Sequence, residues 1–205
     1  MARREKNVKY KFKFTVLGEG ITEQCYLTHL KELKGYKYSI RPILFKDIGI
    51  EDAEEIIDEL LSGGCDQIVF FTDCDTIVNQ NKQECFKQFV DKYKERDEVL
   101  ICDNMPSIEY WFLLHFIYTT KEFANCEEVV RDLKNHITDY EKKKSYLEKD
   151  KWFKKLIKDG GLDKAIEYAL KGLNDYENGD VGSHFPYSKL PIALSIFEEQ
   201  KKQDL

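Results

Sequence analysis

The stretch Gln67-Ile68-Val69-Phe70-Phe71-Thr72-Asp73-Cys74-Asp75 constrains the fold more than any other part of this chain. The continuous apolar run from Ile68 to Phe71 reads as a strand covered on both faces, and such a strand belongs inside a parallel sheet that carries helices on each side. The run ends at once in Asp73 and Asp75. The fold therefore brings two carboxylates to the carboxyl end of a buried strand.

The flanking pattern extends this reading. Lys11 to Leu17 alternates Phe and Val as a strand does, and Gly18 and Gly20 break it. Thr22 is placed to cap a helix through about Leu33, with Tyr26, Leu27 and Leu30 as its apolar stripe. A turn at Gly35 leads to a second strand near Tyr38 to Phe45. Asp52 to Leu61 then has helical spacing and stops at Gly63 and Gly64. After Asp75 a polar helix runs to about Tyr93, and Val99 to Cys102 forms a fourth strand. Ser107 stands as a cap before a run from Tyr110 to Tyr118 that is apolar nearly all round.

This order predicts an α/β fold: a mainly parallel, four-stranded sheet flanked by helices, with right-handed crossovers, over residues 10–118. Beyond Thr120 the strand signals fade. Cys126, Val129, Val130, Leu133 and Ile137 repeat at helical spacing, as do Trp152, Phe153, Leu156 and Ile157. A further helix is predicted over Leu162 to Leu173, an irregular loop over Asn174 to Ser188, and a terminal helix from Leu190 or Pro191. Residues 119–205 thus read as a helical elaboration packed on the core, since 205 residues suit one main domain.

The formal charge of −6 supplies no general attraction to nucleic acid. A local basic strip has two candidates: Arg3, Arg4, Lys6, Lys9, Lys11 and Lys13, and the later Lys142, Lys143, Lys144, Lys149, Lys151, Lys154 and Lys155. Lysine-rich helix faces are more often simply solvated. Six cysteines without paired spacing argue against a zinc knuckle or a disulfide framework and for buried reduced thiols. The polar amino terminus and the lack of a long apolar run lead to the expectation of a cytoplasmic protein with no membrane partner.

In parallel sheets the ligand crevice lies outside the carboxyl ends of the strands, so acids ending the first and third strands become neighbours. Glu19, flanked by Gly18 and Gly20, joins Asp73 and Asp75 there, and Glu23 lies one helical turn on. In an extended segment Asp73 and Asp75 share a face. Glu109 follows the fourth strand and serves either as a metal ligand or as a carboxylate favourable at a helix amino terminus. Carboxylate oxygens suit Mg²⁺ or Mn²⁺, ions that activate water and offset phosphoryl charge. The pattern points to a metal-dependent nuclease. His115 reads either as an orienting residue or as a hydrogen-bonded core histidine, and His184 and Lys189, on the late irregular segment, are placed to approach a phosphate. Dinucleotide and phosphate-loop glycine patterns, a Ser–His–Asp arrangement and a metallopeptidase helix are all absent.

Three ordered blocks carry a resemblance. Leu17-Gly18-Glu19-Gly20-Ile21-Thr22-Glu23, then Phe70-Phe71-Thr72-Asp73-Cys74-Asp75, then Pro106-Ser107-Ile108-Glu109-Tyr110-Trp111-Phe112-Leu113-Leu114-His115-Phe116 resemble the RloB-like proteins and, more broadly, the Toprim catalytic domain. The stretch from His184 to Leu194 is similar to the lysine-containing end of RloB-like chains. The resemblance implies that Glu19 matches the Toprim glutamate, and Asp73 and Asp75 its paired metal-binding aspartates. It matches Glu109 and His115 to the acidic and histidine positions of the Pro-x-x-Glu-x-Trp block. Where that block tends to begin Ser-Asn-Pro, this chain has Asn104-Met105-Pro106. The resemblance further implies a role in phage defence by abortive infection, through cleavage of RNA such as tRNA. A DNA nuclease, or a non-catalytic metal- or nucleotide-binding subunit of a defence complex, are the alternatives. The chain has no ATPase loop of its own, so nucleotide-driven control would come from a sensor or ATPase partner, and completion by a homodimer also fits.

Overall fold

The computed structural model describes residues 12–45, 49–179 and 181–203. The basic residues Arg3, Arg4, Lys6, Lys9 and Lys11 lie outside the described residues. Four parallel strands form most of the sheet: β1 (Phe14–Gly18), β2 (Ser39–Phe45), β3 (Gln67–Asp73) and β4 (Val99–Met105). A two-residue strand, β5 (Tyr187–Ser188), adds antiparallel to β4, and the order across the sheet is β2-β1-β3-β4-β5. The expected parallel four-stranded core is present, and β5 extends it.

Side-chain alternation explains the layering. On one face Phe14, Val16, Val69, Phe71 and Cys102 pack with α1 (Ile21–Lys34), while on the other Leu17, Ile68, Phe70 and Ile101 pack with α2 (Ile50–Ser62) and the later α4 (Gln83–Tyr93). β3 therefore needs apolar residues on both faces, as its run of Ile68 to Phe71 provides. Burying Phe70 and Phe71 back to back contributes about 2 kcal/mol each. Helix α5 (Ile108–Leu114) is buried on every side, in line with its all-round apolar sequence.

The remaining helices are α3 (Cys74–Asn79), α6 (Cys126–Leu133), α7 (Lys144–Leu147), α8 (Lys151–Ile157), α9 (Gly161–Asn178) and α10 (Leu190–Gln203). The apolar residues of α6 to α10 join the α1 side of the sheet in one core cluster that reaches from Phe14 to Phe197, while Cys74 and Ile77 of α3 pack in a smaller cluster with Met105, Leu173 and Tyr187. Trp152 is fully enclosed between Phe112, Tyr140 and Phe153.

Several local expectations differ from what is found. Gly20, not Thr22, occupies the amino-terminal cap of α1; Thr22 is buried in the first turn. The polar helix after Asp75 is two helices, α3 and α4, parted at Asn81, which takes a positive φ of 54°. The predicted loop from Asn174 to Ser188 is shorter, because α9 continues to Asn178 and Tyr187–Ser188 enter the sheet. Ser107 holds the cap position of α5, but its hydroxyl donates to Glu109 and accepts no hydrogen bond from the helix backbone.

Candidate metal centre at the strand ends

The sheet order places β2 on one side of β1 and β3 on the other, so connections leave in opposite directions at the carboxyl ends of β1 and β3. That switch point is where open α/β sheets bind ligands. Glu19 follows β1 and Asp73 closes β3, which puts both at this crevice. Thr72, buried at the end of β3, donates its hydroxyl hydrogen to Glu19 Oε1. Gly20 leaves room for Glu23: a Cβ there would stand 3.0 Å from Glu23 Oε2. The glycine thus lets a carboxylate one turn into α1 fold back toward the crevice.

Asp73 Oδ1 accepts a hydrogen bond from the Ile108 amide at 2.8 Å, joining the end of β3 to the start of α5. Burial, and then the charges of Glu23 and Glu109, hold the Asp73 carboxyl well above the usual carboxylate range. Glu23 is 3% exposed, and burial followed by repulsion from Glu109 pushes it up to about 7. Glu19 adds to the repulsion on both, and the Lys142 ammonium opposes it.

Glu109 behaves differently from its neighbours although it has no exposed surface. Oε2 accepts from Ser107 Oγ at 2.8 Å and Cys126 Sγ at 3.2 Å, while Oε1 accepts from Tyr140 at 3.1 Å and faces Lys142 Nζ at 3.0 Å. Burial alone would raise its pKa; the Lys142 ammonium and these hydrogen bonds outweigh that and hold it below the usual range. Glu109 is thus a fixed anion at the crevice.

Asp75 does not share a face with Asp73, because β3 ends at Asp73 and Asp75 lies in the first turn of α3. Its Oδ1 accepts from the Thr76 amide at 2.7 Å and its Oδ2 from the Cys126 amide at 3.0 Å, tying α3 to the start of α6. The extended geometry expected for Thr72 to Asp75 is replaced by a strand-to-helix switch, which the Asp75 amide's bond to the Pro106 carbonyl at 2.9 Å fastens.

The other predicted residues fall outside this group. His115 lies 2% exposed in the core, with Nδ1 3.0 Å from the Leu156 carbonyl and its ring edge-on to Trp111, and burial lowers its pKa to about 3. His184 is half-buried beside Ser183, with Nδ1 3.3 Å from that hydroxyl. Lys189 pairs with the buried Asp103 at 2.6 Å. In the later lysine cluster, Lys143, Lys144, Lys154 and Lys155 each pair with an acid, so much of that strip is neutralised. Lys142 is the site residue that sequence reasoning did not single out. Only its place in a run of lysines was visible, and the loop that turns it onto Glu109 has no sequence signature.

All the crevice donors are carboxylate oxygens, the chemistry that Mg²⁺ or Mn²⁺ takes. Burial first, and mutual repulsion second, raise the Asp73 and Glu23 pKa values, and a divalent cation would offset both costs. Among the described residues, no three His, Cys, Asp or Glu side chains stand together in a set that could hold a metal ion. The donors fit the ion in kind and would have to draw closer to ligate it.

Among the described residues no helix is long and apolar enough to cross a membrane. No curated protein and no solved structure matches this chain. The model of the RloB-like protein family matches residues 14–191, which take in β1 through β5 and every carboxylate of the crevice, and the chain belongs to that family.

Proposed function

We propose that this chain is a metal-dependent endonuclease that cuts RNA, with tRNA the first substrate to try, and that it acts in phage defence by abortive infection. The observation that carries the reading is the strained group of acids at the β1/β3 switch point, where burial and mutual repulsion keep Asp73 and Glu23 protonated beyond their usual range. Such carboxylates are poised for a divalent cation. Family membership is consistent with a defence-associated role.

In this reading Glu19 and Asp73 would hold Mg²⁺ or Mn²⁺, with Asp75 binding directly or through water, and Glu109 would supply either a further ligand or the fixed negative field that keeps the ion in place. When bound, the ion offsets charge developing on the phosphoryl group. Glu23, buried in the first turn of α1 beside these carboxylates, would take a proton from the attacking hydroxyl, whether of water or of the RNA 2′ position. Lys142 keeps Glu109 ionised and so holds the field of the crevice constant as Glu23 gains and loses its proton. The RNA phosphates would have to meet positive charge supplied by the ion, by basic residues or by a second protein, because the chain itself is net acidic.

A second reading, a non-catalytic metal- or nucleotide-binding subunit of a defence complex, is favoured by one observation: the acids are not drawn into a ligating set. The two are separated by incubating purified protein with mixed tRNA, single-stranded RNA and DNA in Mg²⁺ or Mn²⁺, and mapping product ends. Metal-dependent RNA cuts that EDTA abolishes support the nuclease. Cuts confined to DNA overturn the RNA preference. Binding of metal and polymer without any cut, also in the presence of a sensor or ATPase partner, supports the regulatory subunit.

A further inference from the structure

A cavity of about 360 Å³ opens beside β4 and β5, on the sheet face that carries α2 and α4. That size lies at the small end of ligand pockets, which run roughly 300–1,000 Å³. Its walls are largely apolar, with Ile77, Val78, Phe86 and Val90 from α3 and α4. Across from them Tyr187 is stacked on Tyr176, ring centroids 4.3 Å apart, and Tyr176 is 39% exposed. The polar residues of the lining include the buried Asp103 and Lys189.

The Asp103 carboxylate has a hydrogen bond on one oxygen and an ion pair, without a hydrogen bond, on the other. Oδ2 accepts from the Tyr187 hydroxyl, and Oδ1 lies 2.6 Å from Lys189 Nζ. An ammonium carries three N–H donors, and the ion pair with Asp103 engages at most one of them. Lys189 therefore has donors left to offer, and its side chain is 25% exposed. Charge separates the ligand classes. The Lys189 cation is cancelled by Asp103, and at the rim Lys87 is matched by Asp91, so the pocket has no net charge with which to select a free anion. It suits a neutral, planar group with hydrogen-bond acceptors on its edge.

Position narrows the choice further. Cys74, in the lining, lies between Asp73 and Asp75, and Asp103 precedes Asn104, the register partner of Asp73. Successive residues of a strand face opposite sides of the sheet. The cavity and the acidic crevice are therefore the two faces of the same strand ends.

We propose that this cavity takes a nucleobase unstacked from its strand, with Lys189 donating to a carbonyl oxygen or ring nitrogen and the tyrosine and phenylalanine side chains packing on the ring. For a polymer this rests on the proposed function, since it seats one base while the adjoining phosphodiester reaches the carboxylates. It also reassigns Lys189 from phosphate contact to base contact. Single-strand binders use aromatic platforms of this kind because every base has a π-face.

The test measures binding in the Asp73→Asn protein, so that no cleavage is needed. Fluorescence anisotropy with labelled hexaribonucleotides is compared with the same strands carrying one abasic position, and equilibrium dialysis is run with uridine, cytidine, adenosine and guanosine. Val78→Trp, at a half-buried wall position, fills the cavity without removing the ion pair. It should weaken the intact strands by about tenfold and leave the abasic strands unchanged. Lys189→Met should act in the same direction wherever circular dichroism shows it folded. Nucleosides that bind the parent and not Val78→Trp show that a free base is also taken; binding limited to strands assigns the pocket to the polymer alone. If Val78→Trp leaves strands and nucleosides unchanged, the proposal is wrong. Base-dependent binding in a protein whose Asp73 form cuts nothing with metal would keep the pocket and overturn the nuclease.

Discussion

Lys142 Nζ stands 3.0 Å from Glu109 Oε1, joining a lysine whose side chain is 42% exposed to a carboxylate with no exposed surface. Removing the cation strands a buried anion, whereas removing both charges strands nothing. Lys142→Met should therefore destabilise the fold by about 2 kcal/mol, less than a fully buried pair because water reaches the lysine. Lys142→Met with Glu109→Gln should cost less than the two single changes added together. Urea midpoints of the four proteins check this cycle.

Lys189 and Asp103 form the second such pair, on the other face of the sheet. Burial lowers the Lys189 pKa, but the Asp103 charge outweighs it and the net shift is upward. Lys189→Met should lose about 2 kcal/mol of stability, with partial recovery on adding Asp103→Asn. Unchanged stability in Lys189→Met would mean that the pair is not formed in solution.

Glu23 gives a pH dependence with a definite sign. Its folded pKa of about 7 lies above the ordinary glutamate value of 4.5, so between those values the folded protein holds a proton that the unfolded chain releases. Stability from this group is greatest below about pH 4.5, falls as pH rises toward 7 and then levels off. Asp73 acts in the same direction. The neutral, buried His115, lowered from 6.5 to about 3, opposes both by losing stability as pH falls from 6.5, and Glu109 loses its contribution as pH falls through the carboxylate range. A difference measurement isolates Glu23: Glu23→Gln should gain stability relative to wild type between pH 5 and pH 8. In wild type, Mg²⁺ or Mn²⁺ should raise the melting temperature more at pH 8 than at pH 5, because the carboxylates facing it are then ionised.

The sheet was legible because its strands are covered on both faces: the run Ile68 to Phe71 has no polar side, and Asp73 marks its end. Glu19 and Asp73 could be brought to one crevice from sequence because parallel strands with helical connections put their ends on one side. The relation of Asp73 to Asp75 was not legible, since Thr72-Asp73-Cys74-Asp75 fits an extended segment as readily as the strand-to-helix switch it forms. A two-residue strand such as Tyr187–Ser188 has too few residues to show alternation. Lys142 and Asp103 gained their importance from partners 33 and 86 positions away, and pairing at that range leaves no local pattern.

The most direct test of the central claim compares wild type with Asp73→Ala in single-turnover cleavage of tRNA and unstructured RNA, at protein concentrations giving equal RNA binding, across a Mn²⁺ titration. The account predicts that wild type cuts only with metal and that Asp73→Ala binds RNA but loses cleavage by about a thousandfold or more, as expected when a residue serves the transition state. Metal-dependent cleavage that persists in Asp73→Ala at the wild-type rate would contradict it.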